Sequence, residues 1–277
     1  MPGLIGHQVL GVKLVASVAS DAAPWGKATT CMMMLWDPDT LTARGLISSE
    51  LLNEHRTAAG FAAATRALAR EDSKVLVVFG AGKLALATIR YIAHIRPVDR
   101  VFLISRGAGR LSQLRERIRR EPDLQRLDIC ADTPAEVAVP QADIITTITT
   151  SNTPVFDGSL VRPGTHINLG GSNRAEQREM DDTVAARALF WLDSHCGCRE
   201  RAGDILIPLA SGAIKESQIV GEIGEVLLNR VPGRRHRDDI TTFKSLGLAS
   251  QDLVLGAKLL DLADAADAGT CMDMVNG

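Results

Sequence analysis

The chain has 277 residues, of which 45% are hydrophobic and 23% are charged, and its formal net charge is −2 at pH 7. This composition is that of an ordinary globular protein, and it excludes the collagen-like and intrinsically disordered classes. The nearly balanced charge gives no electrostatic basis for binding nucleic acid or an anionic membrane. A chain of this length can form one large domain or two smaller ones.

The five cysteines are odd in number and lack the paired spacing of zinc ligands, so we expect free thiols and no bound metal. No apolar run approaches the roughly 20 residues that a membrane helix requires, and the N-terminus does not resemble a signal peptide. We therefore expect a cytoplasmic protein that has no membrane partner.

The predicted elements begin with an antiparallel hairpin and a long helix. Apolar segments at 9–18 and 29–35 predict its strands, a turn is predicted at 22–26, and helical spacing predicts a helix over 49–70. Further strands are predicted at 75–79, 100–105, 127–131, 142–150, 165–170, 189–193 and 240–244. Helices are predicted at 83–95, 110–120, 176–188, 216–228 and 249–262, before a frayed tail. Such alternation is typical of a parallel α/β sheet that binds its ligand at the carboxyl ends of the strands.

The segment 75–85 reads Val-Leu-Val-Val-Phe-Gly-Ala-Gly-Lys-Leu-Ala, which predicts a strand, a tight turn and a helix. In a dinucleotide-binding unit the first glycine makes the turn, and the second lets a pyrophosphate approach the helix N-terminus. Ala85 takes the third small position, where only close packing is needed. We therefore predict a cofactor site at Gly80, Ala81 and Gly82, with Lys83 either close to the pyrophosphate or directed to water.

A strand that binds the ribose of NAD usually ends in Asp or Glu about 20 residues beyond the glycine turn. Here Ser105 and Arg106 occupy that place, and a hydroxyl beside a guanidinium suits a 2′-phosphate. NADP(H) is therefore favoured, and NAD(H) remains possible. The hydroxyls of Thr147 and Thr149 follow a buried strand and are assigned to the same site, although threonine is also common in strands for its propensity alone. His166 is interpreted as a hydrogen-bonded core histidine rather than a general acid.

An ordered set of short motifs resembles the ornithine cyclodeaminase/mu-crystallin family. The motifs lie at 11–13, 55–59, 80–82, 142–145, 163–168, 179–181, 221–226 and 242–252, and together they run from about residue 9 to residue 262. The resemblance implies a Rossmann-type doubly wound α/β domain over 59–248. It also implies a smaller α+β substrate and dimerisation domain over 1–58 and 249–277, in a homodimer. On the last motif we assign Lys244 and Gly247 to the cofactor site.

The resemblance further implies hydride exchange between a nicotinamide and the C–N bond of a small amino or imino acid. Lys13 and Arg56 match the basic residues that hold the substrate carboxylate in the family, and Lys13 could also protonate the imine nitrogen. These side chains suit that role because an ammonium and a guanidinium both bind carboxylates well. His55, which directly precedes Arg56, is given no role.

Two departures from the family pattern refine the prediction. Cyclodeaminases carry an Asp where this chain has Ser172 and Asn173, so Ser172 or a water is expected to replace it in catalysis. The segment before Gly11 is also shorter than in other members, which suggests an N-terminally short member with apolar surface for a partner to cover. We therefore predict a ketimine or cyclic imine reductase, or an N-substituted amino acid dehydrogenase. The alternatives are an ornithine or lysine cyclodeaminase and a non-catalytic NADPH-binding protein like mu-crystallin.

Overall fold

A computed structural model describes residues 1–17, 29–131 and 133–270 of the chain. The predicted turn at 22–26 and Cys271 lie outside these residues. The chain divides into two compact units: the first is formed by Met1–Arg56 with Gly247–Gly277, and the second by Thr57–Leu246.

The strands of the described residues are β1 (Pro2–Ile5), β2 (Val9–Ser17), β3 (Thr29–Trp36), β4 (Ala43–Ser48), β5 (Val75–Phe79), β6 (Arg100–Ile104), β7 (Asp128–Cys130), β8 (Ile144–Thr147), β9 (His166–Leu169), β10 (Ala188–Leu192), β11 (Ile219–Glu222) and β12 (Ile240–Lys244). The helices are α1 (Glu50–Leu68), α2 (Leu84–Ile95), α3 (Ala108–Arg120), α4 (Ala135–Ala138), α5 (Asp182–Ala185), α6 (His195–Arg201), α7 (Gly203–Ala210), α8 (Ile223–Leu227) and α9 (Ala249–Ala265).

The first unit contains an antiparallel sheet in the order β1-β2-β3-β4. Side chains alternate between the faces of a strand, so Val9 and Lys13 of β2 share one buried face with Met33 and Leu35 of β3. Leu253 of α9 completes the small core on that face. The sequence thus places a lysine among apolar neighbours on the covered side of the sheet.

The other face of this antiparallel sheet is apolar and exposed. Leu14 of β2 lies opposite Met32 of β3, and the exposed fractions of these two residues are 64% and 44%. Leu4 of β1 and Leu46 of β4 extend the apolar surface to both edges, and each of them is more than half exposed. Large apolar residues gathered on one sheet face mark a surface that a partner can cover.

The second unit contains a parallel sheet in the order β11-β10-β12-β9-β8-β5-β6-β7. The α/β fold with a parallel sheet is therefore confirmed. The chain runs outward from β5 through β6 to β7 and then returns to β8 on the other side of β5. This return creates a topological switch point between β5 and β8, and ligands of open α/β sheets bind beyond the carboxyl ends of the strands at such a point.

Strand β5 is buried on both faces, as parallel strands covered by helices are. Leu76 and Val78 belong to one core cluster, whereas Val77 and Phe79 belong to the other. The run of apolar residues that precedes the glycine turn is thus an interior strand of the sheet, which pairs with β8 on one side and β6 on the other. It delivers Gly80 to the switch point.

Two predicted helices are wrong in extent. The helix predicted at 176–188 is reduced to α5 (Asp182–Ala185), because Asp181 begins it by accepting a hydrogen bond from the N–H of Val184 at 3.0 Å. The helix predicted at 216–228 is instead the edge strand β11 followed by the short helix α8. Strands β1 and β4 and helices α4, α6 and α7 were not predicted. The last helix extends to Ala265, slightly farther than expected.

Candidate active site

The turn after β5 can be made only by glycine. Gly80 has a φ of +114°, and a Cβ at this position would lie 2.7 Å from the carbonyl oxygen of Ile148. The N–H of Gly80 donates to the carbonyl oxygen of Ile104 at 2.8 Å, which ties the turn to the end of β6. Both a left-handed backbone and close packing therefore require the absence of a side chain.

Gly82 has the opposite surroundings, because a Cβ there would meet no atom within 4 Å. Gly82 and Lys83 are exposed at the start of α2, whereas Ala85, one turn later, is fully buried. The N–H groups of a helix N-terminus attract anions, and an open backbone lets a pyrophosphate come close. The turn thus fits a dinucleotide at the positions that the sequence predicts, with Ala81 half-buried between the two glycines.

Ser105 and Arg106 lie beside the glycine turn. Phe79 and Ile104 are paired as the last residues of β5 and β6, so the residues that follow them emerge at the same edge of the sheet. The Ser105 Oγ accepts a hydrogen bond from the N–H of Gly107 at 3.4 Å, and Arg106 is exposed. A guanidinium at this edge is available to an anion in solution.

Thr147 and Thr149 bind a carboxylate of the protein. The Thr147 hydroxyl donates to Oε2 of Glu179 at 2.9 Å, and the Thr149 hydroxyl and N–H donate to Oε1 at 2.7 and 2.8 Å. The N–H groups of Gly171 and Ser172 complete the set at 2.7 and 3.2 Å. Glu179 is fully buried, and burial raises its pKa while the hydrogen bonds from Thr149 oppose that shift. The two threonine hydroxyls thus connect the end of β8 to the loop after β9.

Lys244 does not have the surroundings of a cofactor-binding residue. It is fully buried, and its Nζ donates to Oδ2 of Asp204 at 2.7 Å and to the carbonyl oxygen of Ser172 at 2.6 Å. Asp204 in turn accepts the N–H of Glu179 at 2.7 Å. Its charge is neutralised inside the protein, where it holds the end of β12 to the neighbouring loop. This geometry favours a structural role, and the assignment of Lys244 to the cofactor site stays a prediction.

Ser172, the residue expected to act in catalysis, is also buried. Its hydroxyl donates to the carbonyl oxygen of Gln177 at 2.7 Å. A hydroxyl has a single proton to donate, so that proton is already used inside the loop. This geometry favours a structural role for Ser172, and its part in catalysis stays a prediction.

His166 is a core histidine, as the sequence indicates. Nδ1 lies 3.0 Å from the Thr241 hydroxyl, and Nε2 lies 3.2 Å from Oδ1 of Asn168. Burial lowers the pKa of His166 to about 3, and the nearby Arg234 cation adds to the shift. The imidazole is therefore neutral at physiological pH and holds no proton for an acid catalyst.

Lys13 and Arg56 share two acceptors in the first unit. The Lys13 Nζ donates to Asn53 Oδ1 at 2.7 Å and to Asp252 Oδ1 at 2.9 Å. The Arg56 Nη2 donates to the same oxygen of Asn53 at 2.7 Å, and its Nε to the same oxygen of Asp252 at 3.1 Å. The four side chains form a closed ring, which we call the clamp. Its charged groups are largely buried, with side-chain exposures of 3% for Lys13, 11% for Arg56 and 0% for Asp252.

Gly247 contacts the clamp. Its φ is +84°, and a Cβ at this position would lie 2.4 Å from Nη1 of Arg56. The guanidinium can occupy its place only because residue 247 has no side chain. Gly247 therefore lies against the Arg56 guanidinium, and its assignment to the cofactor site stays a prediction.

Sequence reasoning did not assign roles to Asn53 and Asp252. Asn53 precedes Arg56 by three residues on α1, and residues at this spacing lie on one helix face, so the sequence did carry a signal for it. Asp252 belongs to the first turn of α9, far along the chain from Lys13, and its motif position suggested no partner.

The described residues give no indication of a metal centre or a membrane span. No three His, Cys, Asp or Glu side chains within 1–17, 29–131 and 133–270 come together as metal ligands would. Over the same ranges, none of the helices combines the length and the apolar character needed to cross a bilayer.

The parallel sheet and the glycine turn at its switch point define a dinucleotide-binding α/β fold. The chain belongs to the ornithine cyclodeaminase/mu-crystallin family, whose sequence model matches residues 1–265. The resemblance on which the prediction depends is therefore confirmed.

Relatives of known name point to reduction of imines. The chain is 34% identical to Δ1-pyrroline-2-carboxylate reductase of Paracoccus denitrificans over 226 residues, which is 81% of this chain and 70% of that protein. The Δ1-pyrroline-2-carboxylate reductase of Thermococcus litoralis, solved with NADH and L-proline, superposes with a TM-score of 0.89 at 28% identity over 95% of this chain and 81% of that one. The iminosuccinate reductase of P. denitrificans, solved with NAD+, gives 0.86 at 26% identity over 96% and 80%. These activities agree with the predicted oxidoreductase of a C–N bond, and a nicotinamide cofactor is supported.

Proposed function

We propose that this protein is an NAD(P)H-dependent reductase of a cyclic or N-substituted imino acid, or works in reverse as the matching amino acid dehydrogenase. The observation that carries the proposal is the clamp, in which two cations share one carboxylate and leave a net charge of +1. A buried net charge is costly unless an opposite charge accompanies it. The carboxylate of an amino or imino acid supplies that charge.

Lys13 and Arg56 have different roles in the proposed reaction. A nicotinamide cofactor, which Gly80, Ala81 and Gly82 would hold, would supply the hydride that reduction of an imine requires. Lys13 uses two of its three ammonium protons on Asn53 and Asp252. The third is the proton that we assign to the imine nitrogen, so that hydride and proton together convert C=N into CH–NH. Arg56 holds the substrate carboxylate next to the electron-poor carbon.

A cyclodeaminase is the weaker assignment. That reaction needs a base to activate a nitrogen nucleophile, and the position of the family's aspartate is occupied by Ser172 and Asn173. The Ser172 hydroxyl already donates to a backbone carbonyl. The chain therefore offers no carboxylate for that step at this position, whereas reduction of a preformed imine does not require one.

Two finer points belong to the same proposal. The exposed Arg106, beside Ser105 at the end of β6, supports NADP(H) over NAD(H), because a guanidinium binds a 2′-phosphate with charge-assisted hydrogen bonds.

The apolar outer face of the antiparallel sheet supports a homodimer in which a second copy covers that face. A cytoplasmic location stays a prediction.

The test is the oxidation of NADPH, followed by absorbance, with Δ1-pyrroline-2-carboxylate and Δ1-piperideine-2-carboxylate as substrates. We expect turnover of at least one of them, and a loss of about a hundredfold in kcat/KM for the Lys13→Met variant, because one proton donor and one carboxylate contact are removed. No turnover across a panel of cyclic imines and of keto-acid and amine pairs would overturn the proposal. If NADPH still bound tightly, that result would favour a non-catalytic binding protein. Ammonia released from ornithine with catalytic NAD would favour a cyclodeaminase.

A further inference from the structure

Asp252 holds the two cations of the clamp through one oxygen. Its Oδ1 accepts from the Lys13 Nζ and from the Arg56 Nε, at 2.9 and 3.1 Å. Its Oδ2 is buried and accepts no hydrogen bond from the described residues. The carboxylate therefore acts on the clamp through Oδ1 alone. A change at Oδ2 breaks no hydrogen bond to the described residues.

Two like charges would otherwise repel each other at this distance. An ammonium and a guanidinium that bind the same oxygen lie within a few ångströms, where repulsion between unit charges is large unless a counter-charge lies between them. Asp252 supplies that counter-charge, and Asn53 supplies a neutral acceptor to the same two donors. The pair is thus kept together by one charged and one uncharged bridge.

We propose that Asp252 is the positioning residue of the clamp: it fixes Lys13 and Arg56 as a pair and sets their net charge at +1, matched to a single substrate carboxylate. The inference rests on the proposed function, and it adds a residue to which no role was assigned. Asp252 itself does not touch the substrate. It acts through the two cations.

The charge of the clamp then determines how tightly a carboxylate binds. A stronger positive charge would hold the substrate and the product, both carboxylates, more tightly and would slow product release. A neutral clamp would bind neither well. A charge of +1 binds one carboxylate and lets the product leave.

Two isosteric substitutions change the charge without changing the size of a side chain. Asp252→Asn keeps the Oδ1 acceptor and puts an amide nitrogen in place of the unpartnered Oδ2, so the ring of hydrogen bonds is preserved and the net charge rises to +2. Asn53→Asp keeps the other shared acceptor and lowers the net charge to zero. The net charge of the clamp is therefore higher than natural in one variant and lower than natural in the other.

Asp143→Asn serves as a matched control, because it makes the same chemical change outside the clamp. Asp143 accepts the N–H groups of Lys74 and Val75 at the amino end of β5.

The experiment measures the dissociation constant of pyrrole-2-carboxylate, a planar carboxylate that cannot be reduced, by calorimetry on the NADPH-bound protein. It also measures kcat and KM with the imine that the natural protein reduces. We expect binding about tenfold tighter in Asp252→Asn and about tenfold weaker in Asn53→Asp, as one unit charge at this range implies. KM should follow the same order, and kcat should fall in Asp252→Asn. The Asp143→Asn control should bind like the natural protein.

A role limited to folding would change the fraction of active protein and leave the dissociation constant of the folded fraction unaltered. Equal binding by the natural protein and both clamp variants, with imine reduction intact in the natural protein, would overturn the inference while sparing the proposed function. If Asp252→Asn does not fold, the constant for Asn53→Asp decides the matter in the same way. Failure of the natural protein to reduce any imine would overturn the proposed function itself.

Discussion

Lys13 and Lys244 are both buried lysines on strands, but their surroundings give them different roles. Lys244 faces the single carboxylate of Asp204, so that pair is neutral and complete within the protein. Lys13 shares the carboxylate of Asp252 with Arg56, which leaves one positive charge without a counter-charge in the clamp. The net charge of the local cluster, rather than burial, supports the ligand-binding role that we propose for Lys13.

His166 predicts a dependence of stability on pH. Its pKa is about 3 in the folded protein and near 6.5 in an unfolded chain. Below pH 6.5 the unfolded chain therefore binds a proton that the folded protein does not, and the free energy of unfolding falls as the pH falls. The contribution of this residue is about 1.4 kcal/mol per pH unit between about pH 6 and pH 3.

Urea unfolding of the natural protein and of His166→Gln at pH 5 and pH 7 checks this prediction. The variant should be less stable at pH 7, because it disturbs the hydrogen bonds to Thr241 and Asn168. The loss of stability on going to pH 5 should be smaller in the variant by about 1.4–2 kcal/mol. An identical loss in both proteins would show that His166 titrates normally.

Arg106 predicts the choice of cofactor. Replacement by alanine should raise KM for NADPH about tenfold and leave KM for NADH unchanged, because only NADPH carries the phosphate that the guanidinium binds. Arg119, an exposed arginine on α3, provides the control, and Arg119→Ala should change neither constant. A rise of both constants in Arg106→Ala would contradict a phosphate contact.

At the scale of elements, the sequence predicted best where a long pattern had one interpretation. The interior strand β5 and the helix α2 were found within one residue of their predicted bounds because the glycine turn separates two different periodicities. The helix predicted at 176–188 starts only at Asp182, where Asp181 caps it. Glu179 lies before that start, and its carboxylate accepts hydrogen bonds from five donors on β8 and on the loops after β8 and β9. The short run Ile219–Glu222 suits a strand or a helix by its sequence. It forms a strand because it pairs with β10 at the edge of the sheet.

The two glycines of the turn should respond differently to the same substitution. Gly80→Ala places a Cβ against the Ile148 carbonyl in a left-handed backbone and should cost about 2–4 kcal/mol of stability. Gly82→Ala meets open space, so the melting temperature should stay unchanged while the dissociation constant of NADPH rises at least tenfold. Thermal unfolding and NADPH titration of both variants test this contrast. Normal NADPH binding by Gly82→Ala would place the pyrophosphate elsewhere.

At the scale of the whole molecule, the order of the motifs predicted the family and the clamp cations, but not how the site is completed. Asp252 lies 239 residues from Lys13 along the chain. A single sequence shows that both residues are present and gives no measure of their distance in space. The same limit applies to Lys244 and Gly247: their motif was recognised, but the sequence did not show that Lys244 binds Asp204 or that Gly247 lies against Arg56.

The apolar outer face of the antiparallel sheet predicts a homodimer. Light scattering should give twice the chain mass of 29.7 kDa for the natural protein. The double substitution Leu14→Glu and Met32→Glu places two like charges opposite each other on that face and should yield monomers. Leu227→Glu, at an exposed leucine of α8, is the control and should remain dimeric. A natural protein that is monomeric at micromolar concentration would contradict the prediction.

The most direct test of imine reduction is the fate of the hydride. NADPH deuterated at the transferable position of the nicotinamide is mixed with Δ1-pyrroline-2-carboxylate and the natural protein, and the product is examined by mass spectrometry and NMR. We expect proline that carries one deuterium on the carbon next to the carboxylate, formed in step with the oxidation of NADPH. A reduced product without deuterium on that carbon, or no reduced product from any cyclic imine offered while the cofactor remains bound and reduced, would contradict imine reduction.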